Sequence, residues 1–249
     1  MENKENKRQV LVVVEGAKTD VRLMKRLFDI YGLSARHTIV PYKTNIHELF
    51  ERMFVKMDPD SVDTLQFFKE HEKDSEIKKI FDEKYSDILL IFDFDPQDDR
   101  FSSDAVIKLE QHFNESTENG KLYFNYPMVE AFYHVKSIPD LDFNNRIVEK
   151  AFLDKKTNPE KKTYKQIVNN ETCATDFSKF PVTRKESNII IKQNIEKARM
   201  ITNSRNNFPE AEEILESQIN LLNEKALIYV LSTCGFYIYD YNPKLLEEE

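Results

Sequence analysis

The chain has 249 residues, 40% hydrophobic and 32% charged, with a mean hydropathy of −0.60 and a formal net charge of −8. That is enough for one large domain, or one domain with an appendage, around a real core. No apolar stretch approaches the roughly 18–20 residues of a membrane helix. The first eight residues are polar and lack the apolar segment of a signal peptide. Cys173 and Cys234 stand in no metal-ligand spacing, so a cytoplasmic protein with free thiols is the default expectation.

Residues 8–14 form an apolar, Val-rich run of the kind expected of a strand buried on both faces. Thr19 is placed to cap a helix to Tyr31, with Val21, Met24, Leu27, Phe28 and Tyr31 at helical spacing and Gly32 at its C-cap. Residues 36–42 read as a second strand, and Asn45 as the cap of a helix through Met57. A polar, helical insertion follows over 61–84. Ile88–Phe92 carries no charge and reads as a central strand. A helix through Phe113, a loop over 114–120 and a strand over 122–126 follow, and then a helix with Pro127 in its first turn. Four strand–helix alternations over about 140 residues predict an α/β fold with a mainly parallel sheet flanked by helices. In such sheets the ligand site lies outside the carboxyl ends of the strands. Beyond residue 141 the pattern becomes helical, near 145–153, 186–204 and 209–233, with a polar stretch at 154–184. The expected division is therefore an α/β domain over 8–140 and a helical C-terminal region over 141–249.

The negative net charge hides an asymmetry. Residues 150–206 hold 13 Lys or Arg and 6 Asp or Glu, a local +7 that leaves −15 for the rest of a chain totalling −8. Lys155, Lys156, Lys161, Lys162 and Lys165 gather around Tyr164. Arg184, Lys185, Lys192, Lys197 and Arg199 follow on a helix. Such a segment suits tracking a phosphate backbone and stacking a base. The plainer reading is a solvated helix face.

Two carboxylate motifs carry the chemistry. Val12-Val13-Val14-Glu15-Gly16 ends the first strand on an acid, and Leu89-Leu90-Ile91-Phe92-Asp93-Phe94-Asp95 ends the central strand on two more. On extended backbone a spacing of two puts both aspartates on one side. A divalent cation between them removes their repulsion, and Mg²⁺ is satisfied by two or three carboxylates plus water. Taken singly, Glu15-Gly16 also reads as helix-capping and turn chemistry, with Gly16 giving positive φ or a close approach to the backbone. The Asp-x-Asp also reads as an acidic loop, with Asp98 and Asp99 close behind.

Together the two motifs resemble the TOPRIM family of topoisomerases, primases, recombination proteins and the OLD-like and RloB-like nucleases of phage defence. The likeness spans about residues 8–140. It implies a Rossmann-like TOPRIM fold and an Mg²⁺- or Mn²⁺-dependent phosphodiesterase, with Glu15, Asp93 and Asp95 as metal-binding acids. The acid at Asp20 in Glu15-Gly16-Ala17-Lys18-Thr19-Asp20 matches the nuclease branch. Glu130, in Tyr126-Pro127-Met128-Val129-Glu130, matches a proline-then-Glu element of the defence-type relatives. It also fits simple helix-dipole complementarity. Lys18 is a candidate for the scissile phosphate. His134, three to four residues beyond Glu130, reads more readily as packed or solvated than as catalytic.

The resemblance implies a toxic effector of an anti-phage, abortive-infection system that cuts tRNA, other RNA or DNA. With no G-x-x-x-x-G-K phosphate loop in the chain, it also implies a separately encoded ATPase regulator. No membrane partner is expected, and homodimerisation is open. Two rival readings stand beside it. One is a non-catalytic module of the same fold that binds nucleic acid or a protein. The other is a HAD- or receiver-type phosphohydrolase, which the Glu at the first position disfavours.

Overall fold

The computed structural model describes residues 9–153, 162–204 and 207–247. Its centre is a sheet of β1 (Val10–Val14), β2 (His37–Pro41), β3 (Asp87–Asp93), β4 (Asn114–Glu115) and β5 (Gly120–Tyr126), in the order β2-β1-β3-β5-β4. The first three pairings are parallel: Val12 lies opposite Ile39 and Leu89, and Phe92 opposite Phe124. All five residues of β1 and the five from Ile88 to Phe92 are buried. Unbroken apolar runs thus become strands covered on both faces. β3 is central, as its lack of charge predicts.

α1 (Thr19–Tyr31) packs Leu23, Met24, Leu27, Phe28 and Tyr31 inward. Gly32 ends it in the left-handed conformation at φ 69°, where its N–H reaches the Asp29 carbonyl. Lys18, not Thr19, takes the N-cap position, and no side chain caps that end. Asn45 does cap α2 (Ile46–Phe50), accepting from the Glu48 N–H, and the helix continues as a π-helical turn over Glu51–Val55. The expected helical insertion is two short helices, α3 (Thr64–His71) and α4 (Ser75–Ile80), each capped by an aspartate, Asp63 and Asp74. α5 (Ser103–His112) leads into β4, two residues antiparallel to β5 where a loop was expected. The helix after β5 is one turn, α6 (Glu130–Tyr133), with Pro127 ahead of it rather than inside it.

The C-terminal region departs most from expectation. Residues 145–153 hold not a helix but β6 (Ile147–Glu149) and a short 3₁₀ turn. α7 (Tyr164–Glu171), α8 (Arg184–Thr202) and α9 (Ala211–Lys225) follow. Residues 227–233, predicted helical, form β7 (Leu227–Tyr229), paired with β6, and β8 (Leu231–Ser232), which joins the main sheet antiparallel to β5. α10 (Phe236–Tyr241) follows. Leu227–Leu231 is a short continuous apolar run that periodicity alone does not assign to helix or strand, and sheet pairing decides it. One hydrophobic cluster runs from Val10 to Leu246 across the expected boundary at 140/141, so the C-terminal region is built onto the α/β core rather than appended to it.

Candidate functional site

Parallel pairing aligns the carboxyl ends of β1, β3 and β5: Glu15 directly follows β1, Asp93 closes β3, and Glu130 begins α6 four residues beyond β5. Glu15 follows β1, its N–H on the Ile91 carbonyl at 3.0 Å. Its Oε2 accepts the Asp93 N–H at 3.1 Å. Asp93 closes β3 opposite Asn125, whose Nδ2 donates to Asp93 Oδ1 at 3.3 Å. Asp95 lies beyond the strand at φ 43°, so the extended-backbone geometry that would set Asp93 and Asp95 side by side does not apply. Its N–H instead reaches the Pro127 carbonyl at 3.1 Å, and its Oδ1 accepts from Gln97 Nε2 at 2.8 Å. Its carbonyl meets His47 Nε2 at 3.1 Å. Asp98, just beyond, is tied to Asn45 Nδ2 at 2.6 Å and to Arg100, which holds its carboxyl far below the usual range. Phe94, between the two aspartates, is fully buried against Phe101 and Tyr126.

Two further acids face this edge. Asp20, in the first turn of α1, is buried, and its Oδ1 has no hydrogen-bond partner. A Cβ on Gly16 would stand 2.3 Å from Asp20 Oδ2. Gly16 thus leaves room for that carboxylate, and its φ is not positive. Glu130, on α6, is buried and pairs with Lys165 Nζ of α7 at 2.9 Å.

The five carboxylates feel one another. Burial, then Asp95, raises Glu15 to about 9 against the pull of the Asp93 N–H. Asp20 and Asp95 rise to about 6, chiefly by burial, with Glu130 adding to both. Asp93 is pushed well above the carboxylate range by burial and then by Glu15 and Asp20. Without an added cation the cluster retains protons near neutral pH.

Behind the cluster runs a chain of polar contacts that sequence reading missed. Asn125, fully buried, accepts from Ser232 Oγ at 2.7 Å, and Ser232 Oγ lies 3.1 Å from Cys234 Sγ. The Ser232 N–H in turn donates to Asn194 Oδ1 of α8 at 2.8 Å. The one visible signal was an amide inside the apolar run Leu122–Tyr126. The contacts from β8 and α8 needed the fold.

The predicted nucleic-acid residues scatter. Lys155, Lys156 and Lys161 lie outside the described residues. Lys162 and Lys185 are exposed, as is Lys18. Lys165 faces the acids rather than open solvent alone. Arg184 is structural, donating to the Leu245 carbonyl at 3.0 Å and lying over the Tyr31 ring. Lys192 is exposed, while Arg199 donates to the Asn207 carbonyl at 3.0 Å. Lys197 is fully buried and donates to the Phe143 and Arg146 carbonyls. Tyr164 is buried too, its hydroxyl 3.2 Å from His134 Nδ1, so it presents no face to a base. His134 is packed, as expected, and burial brings it down to about 4.

No protein-family model, curated protein or solved structure matches the chain. The donor set tests the metal expectation directly. All five groups are oxygen donors suited to Mg²⁺ or Mn²⁺, and one buried oxygen, Asp20 Oδ1, is orphaned. Yet among the described residues no three His, Cys, Asp or Glu side chains converge as a ready coordination set. Glu15 is turned onto the Asp93 N–H and Asp95 onto Gln97. The donors fit a hard cation in kind and charge, but the described side chains do not form a coordination shell.

Proposed function

We propose that this chain is a metal-dependent nuclease of the TOPRIM type. The observation that carries the reading is five carboxylates, on β3, just after β1 and β3, and on α1 and α6, gathered at the carboxyl-end edge of the sheet, whose one cationic partner among the described residues is Lys165. Burial and mutual repulsion raise Glu15, Asp20, Asp93 and Asp95, and a divalent cation offsets that cost. Glu15, Asp93 and Asp95 hold the ion, and Asp20 and Glu130 flank it. When bound, Mg²⁺ or Mn²⁺ supplies an activated water and a Lewis acid for the phosphoryl oxygens. Lys165 sits beside Glu130, where it can balance charge next to a substrate phosphate, and Lys18 serves the same end from the loop. The exposed Lys162 and Lys185 extend the path of the backbone. The substrate is nucleic acid, tRNA or other RNA or DNA. The role is that of a toxic defence effector restrained by a separate ATPase, which docks on the acidic surface outside 150–206.

The test is incubation of the purified protein with tRNA, single-stranded DNA and plasmid in Mg²⁺, Mn²⁺ or EDTA. Cleavage is expected with metal. Loss of at least about 100-fold is expected for Glu15→Ala and Asp93→Ala. Cleavage that survives EDTA or both substitutions refutes the metal site. One observation favours a second reading: the acids do not converge, as in a non-catalytic binding module. That reading expects nucleic-acid binding unchanged by Glu15→Ala, and no cleavage of any substrate when the chain is expressed with its neighbouring genes.

A further inference from the structure

A second polar cavity lies on the far edge of the sheet. β5 is covered along that edge by two short strands, β4 opposite Gly120 and Lys121 and β8 opposite Asn125 and Tyr126. Between them Leu122–Phe124 pairs with β3 on its inner side and with no strand of the described residues on its outer side. Phe113 and Thr233 close the backbone there, through Leu122 N–H to Phe113 O at 2.8 Å and Thr233 N–H to Phe124 O at 3.0 Å. Against this gap opens a cavity of about 450 Å³, walled by α5, the start of α9 and α10. Such a volume suits a small ligand.

Its chemistry is one-sided. Glu110 lines it from α5, is 7% exposed, and forms no hydrogen bond or ion pair with any described residue. A buried carboxylate left so is costly unless something pairs with it. Glu210 and Glu212 stand exposed at the rim and add negative charge. The one lysine lining the cavity, Lys121, is already committed, with Nζ 2.6 Å from Asp240 Oδ2 and over the Tyr123 ring. Among the other lining residues are the aromatic rings of Phe113, Tyr126 and Phe208, the last stacked on Tyr239 at 4.3 Å between centroids. Carboxylate beside aromatic rings is the pairing that holds ammonium and guanidinium groups. Burial and the neighbouring Glu212 raise Glu110 to about 7 even against the attraction of Lys121, and a further positive charge in the cavity would oppose that rise.

We propose that this cavity binds a small organic cation of the ammonium or guanidinium class, with Glu110 as its counter-charge. The site is separate from the carboxylate cluster, and its test reads binding alone, so it stands or falls apart from the nuclease reading. Calorimetric titration of the full chain with agmatine is expected to give saturable binding, with neutral N-butylurea giving none. Glu110→Gln is expected to weaken agmatine at least about tenfold, and Glu212→Gln, at the exposed rim, about threefold. If Glu110→Gln does not fold, the agmatine, butylurea and Glu212→Gln arms decide. No saturable binding of agmatine up to about 10 mM, well above a millimolar Kd, overturns the proposal. So does equal binding of butylurea, or undiminished binding by the variants. Binding of a blocked Gly-Arg-Gly peptide but not of agmatine also overturns it, because the occupant is then a protein side chain.

Discussion

Gly16 shows how one missing side chain arranges a site. Its backbone is not in the glycine-only region; what it supplies is the space that Asp20 Oδ2 fills, 2.3 Å from where a Cβ would be. Gly16→Ala must displace that carboxylate or the turn. It is expected to destabilise the fold by about 1–3 kcal/mol in urea denaturation and to weaken divalent-cation binding. Unchanged stability would show that Asp20 has room elsewhere. Glu15 gives a prediction with a sign. Its folded value of about 9 lies above its ordinary 4.5, so the folded state holds the proton more tightly than the unfolded one. The stability tied to that proton is complete below about pH 4.5 and is lost as pH rises towards 9. In EDTA, Glu15→Gln should gain on wild type steadily between pH 5 and 8.5 in urea midpoints. Saturating Mg²⁺ should reverse the order. A pH-independent difference would mean that Glu15 is not held protonated.

At the scale of elements, α8 supplies interior polar contacts rather than the basic face its sequence advertises. Thr183 and Glu186 form a capping box at its start. Asn194 receives the Ser232 N–H, which fixes β8 against β5. Lys197, brought down to about 7 by burial and by Arg146, ties α8 to the turn after α6 through two backbone carbonyls. Lys197→Met keeps the volume but removes the charged donor from both carbonyls, which keep only the backbone N–H groups of Arg146 and Val230. It is expected to lower stability by about 1–3 kcal/mol in chemical denaturation, with nucleic-acid affinity unchanged. A drop in affinity at unchanged stability would return Lys197 to the binding surface. The basic run was legible in the sequence, but which of its cations point inward was not. Charge counts carry no information about the face a helix turns to its neighbour.

For the molecule as a whole, the proposed metal site would make metal binding and stability one equilibrium. A ligand that binds only the folded state adds about 2.7 kcal/mol at 100 times its Kd. Mg²⁺ or Mn²⁺ at that excess should raise the thermal midpoint of wild type and not that of a Glu15→Ala, Asp93→Ala double variant. A rise of equal size in both would place the ion elsewhere on this acidic chain. What the sequence settled by itself was local and periodic. The Val10–Val14 and Ile88–Phe92 runs are too apolar to be anything but buried strands, and each stops at a carboxylate. Alternation with amphipathic helices makes the sheet parallel, and that sends Glu15 and Asp93 to one edge. Only the tertiary structure decided the rest, because it depends on contacts between residues far apart in the chain. Such contacts return Leu231–Ser232 to the sheet as a strand, set Asn125 between Asp93 and Ser232, and bring Lys165 onto Glu130. They also leave Glu110 buried, with no hydrogen bond or ion pair to a described residue, beside the outer side of β5.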